Sequence, residues 1–306
     1  MEALEDAPIT NFSDILQGRE KGVVMLPNGG LNGEGASIRI RGSSTLSQSN
    51  EPVVYIDGVR VDNSASGVGP GGTPSRLDEI NPDAIERIEI LKGAAAASLY
   101  GTQAANGIIQ IFTKQGAISK PEFSVEVSTM TSSYPEDRFK ANSGFARDQA
   151  TADRMAKLFP DYAKGGLKPY EVIEVPFISW IYDKGNNKTA SASVRGGAPG
   201  ATYYASLRYL NSDGPYDETA TLLGKPVGAA DPTKPGANDY RDQFMASATL
   251  NLLPTDKVRL RVSMNYAYTD HNTIENNNNI YGTTSLIQMG KPEHSTENNA
   301  SGSMAF

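Results

Sequence analysis

Charged side chains on two short strand-like segments are the residues whose types and spacing could carry chemistry in this chain. In the first segment, Arg39 and Arg41 alternate with isoleucines, so both guanidinium groups project from one face of a half-buried strand. In the second, Glu86 and Glu89 lie beside Arg87 in a β-favouring run. Such charges could form an electrostatic latch between two parts of the molecule. The simpler interpretation is a set of ordinary salt bridges, each of which contributes little when exposed.

The other chemistry-bearing residue types argue against an enzyme. The chain has no cysteine and only two histidines, so a thiolate or histidine metal site and a catalytic triad are not expected. A G-x-G-x-x-G pattern occurs at Gly67, Gly69 and Gly72. Dinucleotide binding needs a strand directly before this pattern and a helix directly after it. Here polar residues precede the pattern and Pro70 interrupts it, so a flexible loop is favoured over a nucleotide-dependent enzyme.

Composition restricts the partners and the location of the protein. A formal net charge of -7 argues against binding nucleic acid. No segment approaches the roughly 18 apolar residues of a transmembrane helix, and residues 1–6 are acidic where a secretory signal is basic. The asparagine run 276–279 lacks the carboxylate spacing of a calcium loop, so we predict neither a metal nor a cofactor. A membrane protein built from short alternating strands fits this composition.

Residues 87–116 contain the elements that would position the second charged segment. Their order predicts a strand, a short alanine-rich helix and a second strand. The punctuating residues are Lys92 and Gly93 after the first strand, Tyr100 and Gly101 after the helix, and Asn106 and Gly107 before the second strand. Upstream, Asp57 and Gly58 predict a tight turn between two short strands, with a ligand role for Asp57 as the minor alternative. Residues 1–116 are therefore predicted to form one α+β domain.

The pattern changes after residues 116–120. Apolar and polar residues alternate in five segments of about the length that crosses a bilayer as a tilted strand, namely 122–128, 189–196, 202–209, 243–252 and 257–268. Short turns at 197–200 and 253–256 join two pairs of these segments, whereas long polar loops occupy about 131–188 and 212–242. Short turns that alternate with long loops favour an outer-membrane barrel over a soluble β-sandwich.

Aromatic residues in the first long loop are candidates for ligand binding. Tyr162, Tyr170, Trp180 and Tyr182 lie there among aspartate and asparagine. Flat apolar faces next to polar edges commonly bind sugars or peptides. The alternative is that these rings pack the loop against itself or against the barrel rim.

The first part of the chain resembles the plug domain of TonB-dependent outer-membrane transporters of the SusC/RagA-like family. The matching segments occur in the family's order and are specific as a set. They are 16–19, 22–23, Ile38 to Gly42, Tyr55 to Val59, 77–82, Ile85 to Gly93, Ser98 to Gly101 and Ala105 to Lys114, followed by Tyr203 to Gly214 in the first barrel strands.

The resemblance implies an α+β plug domain, a small mixed sheet with short helices, over residues 1–116. It also implies that residues 117–306 form antiparallel β-strands of an incomplete 22-stranded transmembrane β-barrel, with about five strands present. TonB would supply energy, a SusD-like lipoprotein would cover the barrel, and a glycan or peptide would be the substrate. The protein would lie in outer-membrane lipid with the plug facing the periplasm.

The resemblance also assigns a set of plug residues to family motifs or to the latch. This set is Arg39, Arg41, Gly42, Asp57, Gly58, Arg87, Glu89, Lys92, Gly93, Tyr100, Gly101, Asn106 and Gly107. No TonB-binding segment is recognisable before Ala7, and the strand number predicts a fragment or truncated product that cannot transport by itself. The alternative function is a β-rich surface protein or adhesin that binds partners through its long loops.

Overall fold

The computed structural model describes residues 12–16, 18–27, 32, 35–42, 50–61, 76–101, 104–133, 135, 138, 140–180, 182, 184–215, 221–222, 225–226, 239–255, 257–272 and 290–294. Its elements in chain order are α1 (Phe12–Leu16), β1 (Val23–Pro27), β2 (Ala36–Ile40), β3 (Val53–Ile56), β4 (Val59–Val61), β5 (Ile85–Leu91), α2 (Ala94–Tyr100), β6 (Ile108–Thr113), β7 (Glu122–Ser132), β8 (Asn142–Phe145), α3 (Gln149–Leu158), α4 (Pro160–Ala163), β9 (Val172–Val175), β10 (Gly185–Ala198), β11 (Ala201–Asp213), β12 (Thr221–Leu222), β13 (Lys225–Pro226), β14 (Tyr240–Thr255) and β15 (Val258–Asn272). Short 3-10 helices cover Arg76–Glu79, Pro82–Ala84, Phe177–Trp180 and Pro292–His294.

A mixed four-stranded sheet, called here the plug sheet, organises the first part of the chain. Its order is β4-β3-β6-β5, with β3 and β6 parallel and the other pairs antiparallel. The predicted strand, helix and strand are confirmed as β5, α2 and β6, so α2 connects two adjacent strands. A separate two-stranded sheet pairs β1 with β2.

The plug core forms where α1 packs over the plug sheet and the β1–β2 pair. Phe12 and Leu16 lie one helical turn apart, so both side chains point to the same side of α1 and are buried. They contact apolar side chains from several strands, including Val23, Ile38, Ile40, Val54, Ile109 and Ile111. The strands therefore reach the core through alternate residues, as the sequence pattern predicts.

A five-stranded antiparallel sheet, called here the wall sheet, follows the plug. Its order is β15-β14-β11-β10-β7, so the long strands pair with their neighbours along the chain. The register aligns apolar residues in rows across all five strands. The first row is Val127, Ala190, Tyr209, Phe244 and Tyr268, and the second is Val125, Ala192, Leu207, Ala246 and Tyr266. One face of the wall sheet is thus continuously apolar, and its large side chains are exposed.

The exposed apolar face has the dimensions of a membrane-facing surface. On β15 it runs from Leu260 to Tyr268, roughly 27 Å along the strand at about 3.4 Å per residue. A tilt of about 40° reduces this to roughly 20 Å along a membrane normal, close to the band of outer-membrane strands. Within the described ranges the wall sheet is open, with β7 and β15 at its edges. None of the helices in the described part of the chain is long and apolar enough to span a membrane.

The plug chain passes directly into the wall sheet. Gly116 lies against the backbone of β11, where an added Cβ would come within 2.2 Å of the Tyr203 nitrogen. Only glycine fits this close approach. The passage lies at the end of the sheet that carries the short β10–β11 and β14–β15 connections, whereas the long loops leave from the opposite end.

The first long loop contains a folded unit that the sequence pattern did not predict. Residues 140–180, called here the loop subdomain, combine the β8–β9 pair with α3 and α4. Met155, Phe159, Val175 and Phe177 are buried in its core, and the Phe159 and Phe177 rings lie 5.7 Å apart. Asp148 caps α3 by accepting a hydrogen bond from the Thr151 N–H. The sequence analysis predicted a long polar loop here and did not predict the helices and strands within it.

A second loop docks onto the loop subdomain. The Asn142 side chain donates to the carbonyl oxygen of Gly290 (2.8 Å), and Arg154 donates to that of Glu293 (2.8 Å). Residues 290–294 belong to the chain after β15, so these contacts join segments separated by nearly 150 residues. Residues 290–294 thus pack against the loop subdomain.

Truncating one buried valine should destabilise the loop subdomain. Val175→Ala removes two methyl groups from a fully buried position, so we expect a loss of about 2 kcal/mol. Val172→Ala is the matched control, because Val172 lies on the same strand and is 60% exposed. Amide hydrogen exchange of α3 measures the opening free energy. Equal effects of the two substitutions would contradict the core described here.

Contact between plug and wall as the candidate functional site

The inward face of the wall sheet carries buried polar side chains. On β11, Tyr204, Ser206 and Arg208 alternate with the apolar outward residues. On β14, Arg241 and Gln243 lie on the same inward face. All are buried despite their polarity. Buried polar groups need hydrogen-bond partners, so this face must be matched by polar groups of the plug.

The plug presents those groups on two consecutive 3-10 turns, residues 76–84. Asn81 caps the second turn by accepting the Asp83 N–H at 3.0 Å, and Pro82 occupies its first position. The helix of this turn is of the 3-10 type. Side chains and carbonyl groups of both turns contact the wall sheet.

The second turn makes the ionic part of the contact. Arg208 Nη1 donates to both carboxylate oxygens of Asp83 at 3.1 Å, with 4% and 25% of the two side chains exposed. Tyr204 Oη donates to the Asp83 carbonyl at 2.9 Å, and Asn81 Nδ2 donates to Ser206 Oγ at 3.1 Å. Three neighbouring positions of one wall strand thus hold one turn of the plug.

The first turn is held through its backbone. The Asp78 carbonyl oxygen accepts from Arg241 Nη2 (3.1 Å) and from Gln243 Nε2 (3.0 Å). Gln243 also donates to Thr269 Oγ1 of β15, which ties a third wall strand to the same network. We call Asp78, Asn81, Asp83, Tyr204, Ser206, Arg208, Arg241 and Gln243 together the plug–wall contact.

The Asp78 carboxyl group is the strongly perturbed acid of the plug–wall contact. Burial raises its pKa from 3.8 to about 6, the nearby Arg241 charge lowers it in part, and the Asp14 charge raises it further. The carboxyl group therefore changes protonation state within the range of mildly acidic environments.

A third polar contact lies at the long-loop end of the wall. The Asn32 backbone N–H donates to the Asp239 carboxylate at 3.1 Å, and its side chain donates to the Ser212 carbonyl at 2.9 Å. Ser212 Oγ in turn lies 2.6 Å from Asn32 Oδ1. The plug is thus fastened to β11 at both ends of that strand's inward face.

The charged residues proposed from the sequence as a latch pair within the plug. Arg87 and Glu89 form an exposed ion pair at 2.8 Å, and the Arg87 guanidinium lies 3.8 Å from the Phe112 ring centroid. Lys92 pairs with Glu20 and donates to the Lys21 carbonyl at 2.6 Å. None of these described contacts reaches the wall sheet.

The two arginines of β2 also stay on the plug. Arg39 is half-buried and pairs in register with Val24. Arg41 follows the strand with a positive φ of 59°, and its N–H donates to the Gly22 carbonyl at 2.8 Å, while Gly42 continues the turn at φ 91°. Their role in a latch remains a prediction from the sequence.

The motif residues around the plug sheet maintain its turns. Asp57 and Gly58 both have positive φ, as a two-residue hairpin turn requires, and the Asp57 carboxylate accepts the Thr113 N–H at 3.0 Å.

The remaining motif residues lie around α2. Tyr100 Oη contacts Gln110 Nε2 at 2.5 Å. A Cβ on Gly107 would lie 2.8 Å from Ile40 Cδ1. Gly93 and Gly101 flank α2 with positive φ, and Asn106 lies in the turn after it.

The aromatic residues of the first long loop divide by environment. Tyr162 and Tyr182 pack against the core of the loop subdomain, whereas Tyr170 is exposed beside Phe145. The side chain of Trp180 lies outside the described part of the structure, as do Gly67, Gly69, Gly72 and the asparagine run 276–279. Ligand binding by these tyrosines remains a prediction.

Sequence reasoning missed the wall side of the contact. Arg208 was visible as a polar position of an alternating strand, and charge on the inward face of a strand is a signal for a partner, whereas Arg241 fell in the loop predicted at 212–242. Asp78 and Asp83 carried no comparable signal, because acidic residues in a polar turn are ordinary. Which acid meets which arginine depends on the docking of the plug.

The comparisons with known proteins agree with this architecture. The TonB-dependent Receptor Plug Domain family matches residues 1–108. TonB-dependent receptor P26 of Formosa agariphila is 28% identical over 272 residues, which cover 86% of this chain and 24% of that protein. TonB-dependent receptor SusC of Bacteroides thetaiotaomicron is 31% identical over 211 residues, which cover 67% of this chain and 19% of that protein. The chain therefore spans about a quarter or less of these relatives.

A solved structure shows the same fold. The RagAB peptide importer in its closed-closed state superposes with a TM-score of 0.62 at 19% identity, covering 89% of this chain and 30% of the RagAB chain. A plug sheet fastened to a wall with an apolar outer face, together with the plug-family match, places residues 1–108 in the plug class of TonB-dependent receptors. Over most of its length the chain is similar in sequence to SusC-type members of that class.

Acidification should stabilise the docked plug through Asp78. Because its pKa is raised from 3.8 to about 6, the native state retains a proton that the unfolded state loses between these pH values. The free energy of unfolding should therefore fall by an amount on the order of 3 kcal/mol as pH rises from about 4 to 6. Outside this range the contribution of Asp78 should be constant. Urea unfolding in mild detergent, at intervals between pH 4 and 7.5, measures this dependence. Asp78→Asn should flatten the curve, and an unchanged slope in that variant would refute the assignment.

Removing the buried arginine should loosen the plug. Arg208→Met leaves Asp83 without its ionic partner on the wall, so we expect a loss of about 2 kcal/mol, less than for a fully buried pair because Asp83 is partly exposed. Arg195→Met is the matched control, since Arg195 and Glu122 form an exposed pair within the wall sheet, and it should cost under about 1 kcal/mol. Hydrogen exchange of β5 and β6 reports on plug docking. Similar losses in both variants would show that the plug–wall pair has no special weight.

Proposed function

We propose that this chain forms the plug and first wall strands of a TonB-dependent transporter of the bacterial outer membrane. The observation that carries the proposal is the plug–wall contact, in which a compact domain is fastened to the inward face of a membrane-type sheet by polar groups. In the complete receptor the wall would close into a barrel of about 22 strands, the size class whose lumen is plugged. The protein would act by gated passage, without bond-making chemistry.

The chemistry of the contact suits a plug that must be released. Its members are hydrogen bonds and one ion pair, such as Asn81 to Ser206 and Asp83 to Arg208. A hydrogen bond exchanged for water costs only about 1 kcal/mol, whereas separating two apolar surfaces costs free energy in proportion to their area. A polar contact therefore holds the plug in one position and still allows an external pull to displace it into a wet lumen.

The direction of the plug follows from the two ends of the wall sheet. The plug enters the wall at Gly116, at the end with short connections. Short turns face the periplasm in outer-membrane barrels, and long loops face outward. We infer that the plug opens to the periplasm, where TonB would bind, and that the loop subdomain lies at the cell surface, where a SusD-like lipoprotein would cover the barrel.

The substrate class is a large nutrient, a glycan or a peptide. SusC-like sequence and the RagAB-like fold support these two classes, and RagAB itself is described as a peptide importer. The long loop end with its exposed aromatic residues provides the surface on which such a nutrient would first arrive.

Thiol labelling tests whether the plug leaves the wall when TonB is energised. Residues 1–306 contain no cysteine, so Ser206→Cys places the only thiol of this part under the plug, at a position that is 2% exposed, and any cysteine elsewhere in the complete receptor is replaced by serine. In cells that produce the complete receptor, a maleimide should label this thiol several-fold faster when TonB is present and the inner membrane is energised. The physical reason is that labelling requires the Asn81 side chain to move away from position 206.

Two controls make the labelling experiment decisive. Ser124→Cys lies in the same inward row as position 206, but at an exposed position of β7, and should be labelled equally with and without TonB. A double variant, Asn81→Cys with Ser206→Cys, should form a disulfide across the contact and abolish nutrient-dependent growth until a reductant is added. Labelling of Ser206→Cys that ignores both TonB and the proton gradient would overturn the proposed gating.

A further inference from the structure

The loop subdomain displays an aromatic platform on its outer side. Phe145 and Tyr170 are both exposed, their ring centroids lie 6.0 Å apart, and the ring planes are inclined by 32°. Val172, which pairs in register with Phe145, extends the same apolar patch. The two rings and Val172 thus form one exposed patch with two adjacent, mutually tilted aromatic rings.

The backbone holds Tyr170 in an unfavourable conformation to expose its ring. Tyr170 has a φ of 67°, a region that costs a non-glycine residue on the order of 1 kcal/mol or more. Its N–H donates to the Ala146 carbonyl at 2.7 Å, which fixes the residue to the end of β8. In the same subdomain Phe159 and Phe177 are completely buried. A tyrosine that only supported packing would have been turned inward like these rings, yet Tyr170 is 70% exposed.

A cationic cleft adjoins the platform. Residues 164–171 line an open cleft of about 710 Å³ that includes Lys164, Lys168 and Tyr170. Among the described residues, neither lysine ammonium group lies within 4.0 Å of a carboxylate. Glu171 is the one acidic residue that lines the cleft, and its carboxylate accepts the Lys168 backbone N–H at 3.0 Å. Both positive charges are available to a ligand beside the rings.

We propose that the Phe145–Tyr170 platform and its lysine cleft bind an acidic oligosaccharide, one that carries uronic acid or sulfate groups. Flat aromatic faces stack on the C–H faces of sugar rings, and two adjacent rings suit two consecutive sugars. The lysines would pair with the acidic groups. The chain as a whole carries a net charge of -7, so an anion is repelled elsewhere and drawn to this cleft.

The shape of the site favours a glycan over an acidic peptide. The cleft is open rather than enclosed, and both rings are exposed, so the site offers flat faces and no closed pocket that could receive a peptide side chain. Capture of the glycan at the cell surface rests on the proposed function, which puts this end outside the cell. Binding itself does not, because it needs neither TonB nor transport.

Calorimetric titration of the full chain in mild detergent tests the site. Hexagalacturonate is the probe, maltohexaose is its neutral counterpart with the same type of linkage, and hexaglutamate is the acidic peptide. We expect hexagalacturonate to bind at least tenfold more tightly than the other two. Tyr170→Ala should weaken binding at least tenfold, whereas Tyr170→Phe keeps the ring and should stay within about twofold of the parent chain.

Lysine variants separate the charge from the ring. Lys164→Gln with Lys168→Gln should weaken hexagalacturonate binding roughly tenfold and flatten its salt dependence. Lys157→Gln removes an exposed charge from α3, outside the cleft, and should change binding less than twofold. Hydrogen exchange of α3 confirms that each variant retains the loop subdomain.

Three outcomes would overturn this inference. They are no binding of hexagalacturonate, equal or tighter binding of maltohexaose or hexaglutamate, and unchanged binding in a folded Tyr170→Ala variant. Intact hexagalacturonate binding together with TonB-independent labelling of Ser206→Cys would disprove the gating function and leave this site standing.

Discussion

The two-sidedness of the wall strands is the constraint on which the rest of the structure depends. In the middle of β11 and β14 the residues that point outward are apolar, whereas most of those that point inward are buried polar side chains, with Leu210 and Met245 as buried apolar residues among them. Such a strand is stable only if something polar covers its inward face, since unpartnered buried donors cost about 1–3 kcal/mol each. The plug supplies that cover through Asp78, Asn81 and Asp83. The plug and the wall sheet therefore stabilise each other, and both depend on the polar contact between them.

Much of the fold could be predicted from the sequence because it is encoded in short-range patterns. Period-two alternation predicted all five wall strands, and the turn residues at Asp57 and Gly58 predicted their hairpin. The loop subdomain was missed for the same physical reason. Its strands are only four residues long, and α3 is amphipathic but short, so no single pattern rises above that of a polar loop. Its core exists only when several weak elements assemble.

The candidate site was harder to predict because it is made by docking. Arg87 and Glu89 lie two residues apart on one strand and form an ion pair with each other. Charged residues on an exposed strand commonly pair locally in this way. Arg208 has no such neighbour, and its partner Asp83 lies 125 residues away. Sequence spacing carries no information about such a pair. The geometry appears only once the plug sheet and the wall sheet are placed together.

The contact between the loop subdomain and residues 290–294 has a consequence for how such receptors diversify. Asn142 and Arg154 bind backbone carbonyl groups at Gly290 and Glu293, and the side chains of Pro292 and Glu293 lie against Gly144. The contact therefore depends both on the path of residues 290–294 and on their side chains, and a change in chain length before residue 290 would displace all of these groups at once. The two segments would therefore be inherited as a pair, and a recombination breakpoint between residues 180 and 290 would separate the two halves of one contact.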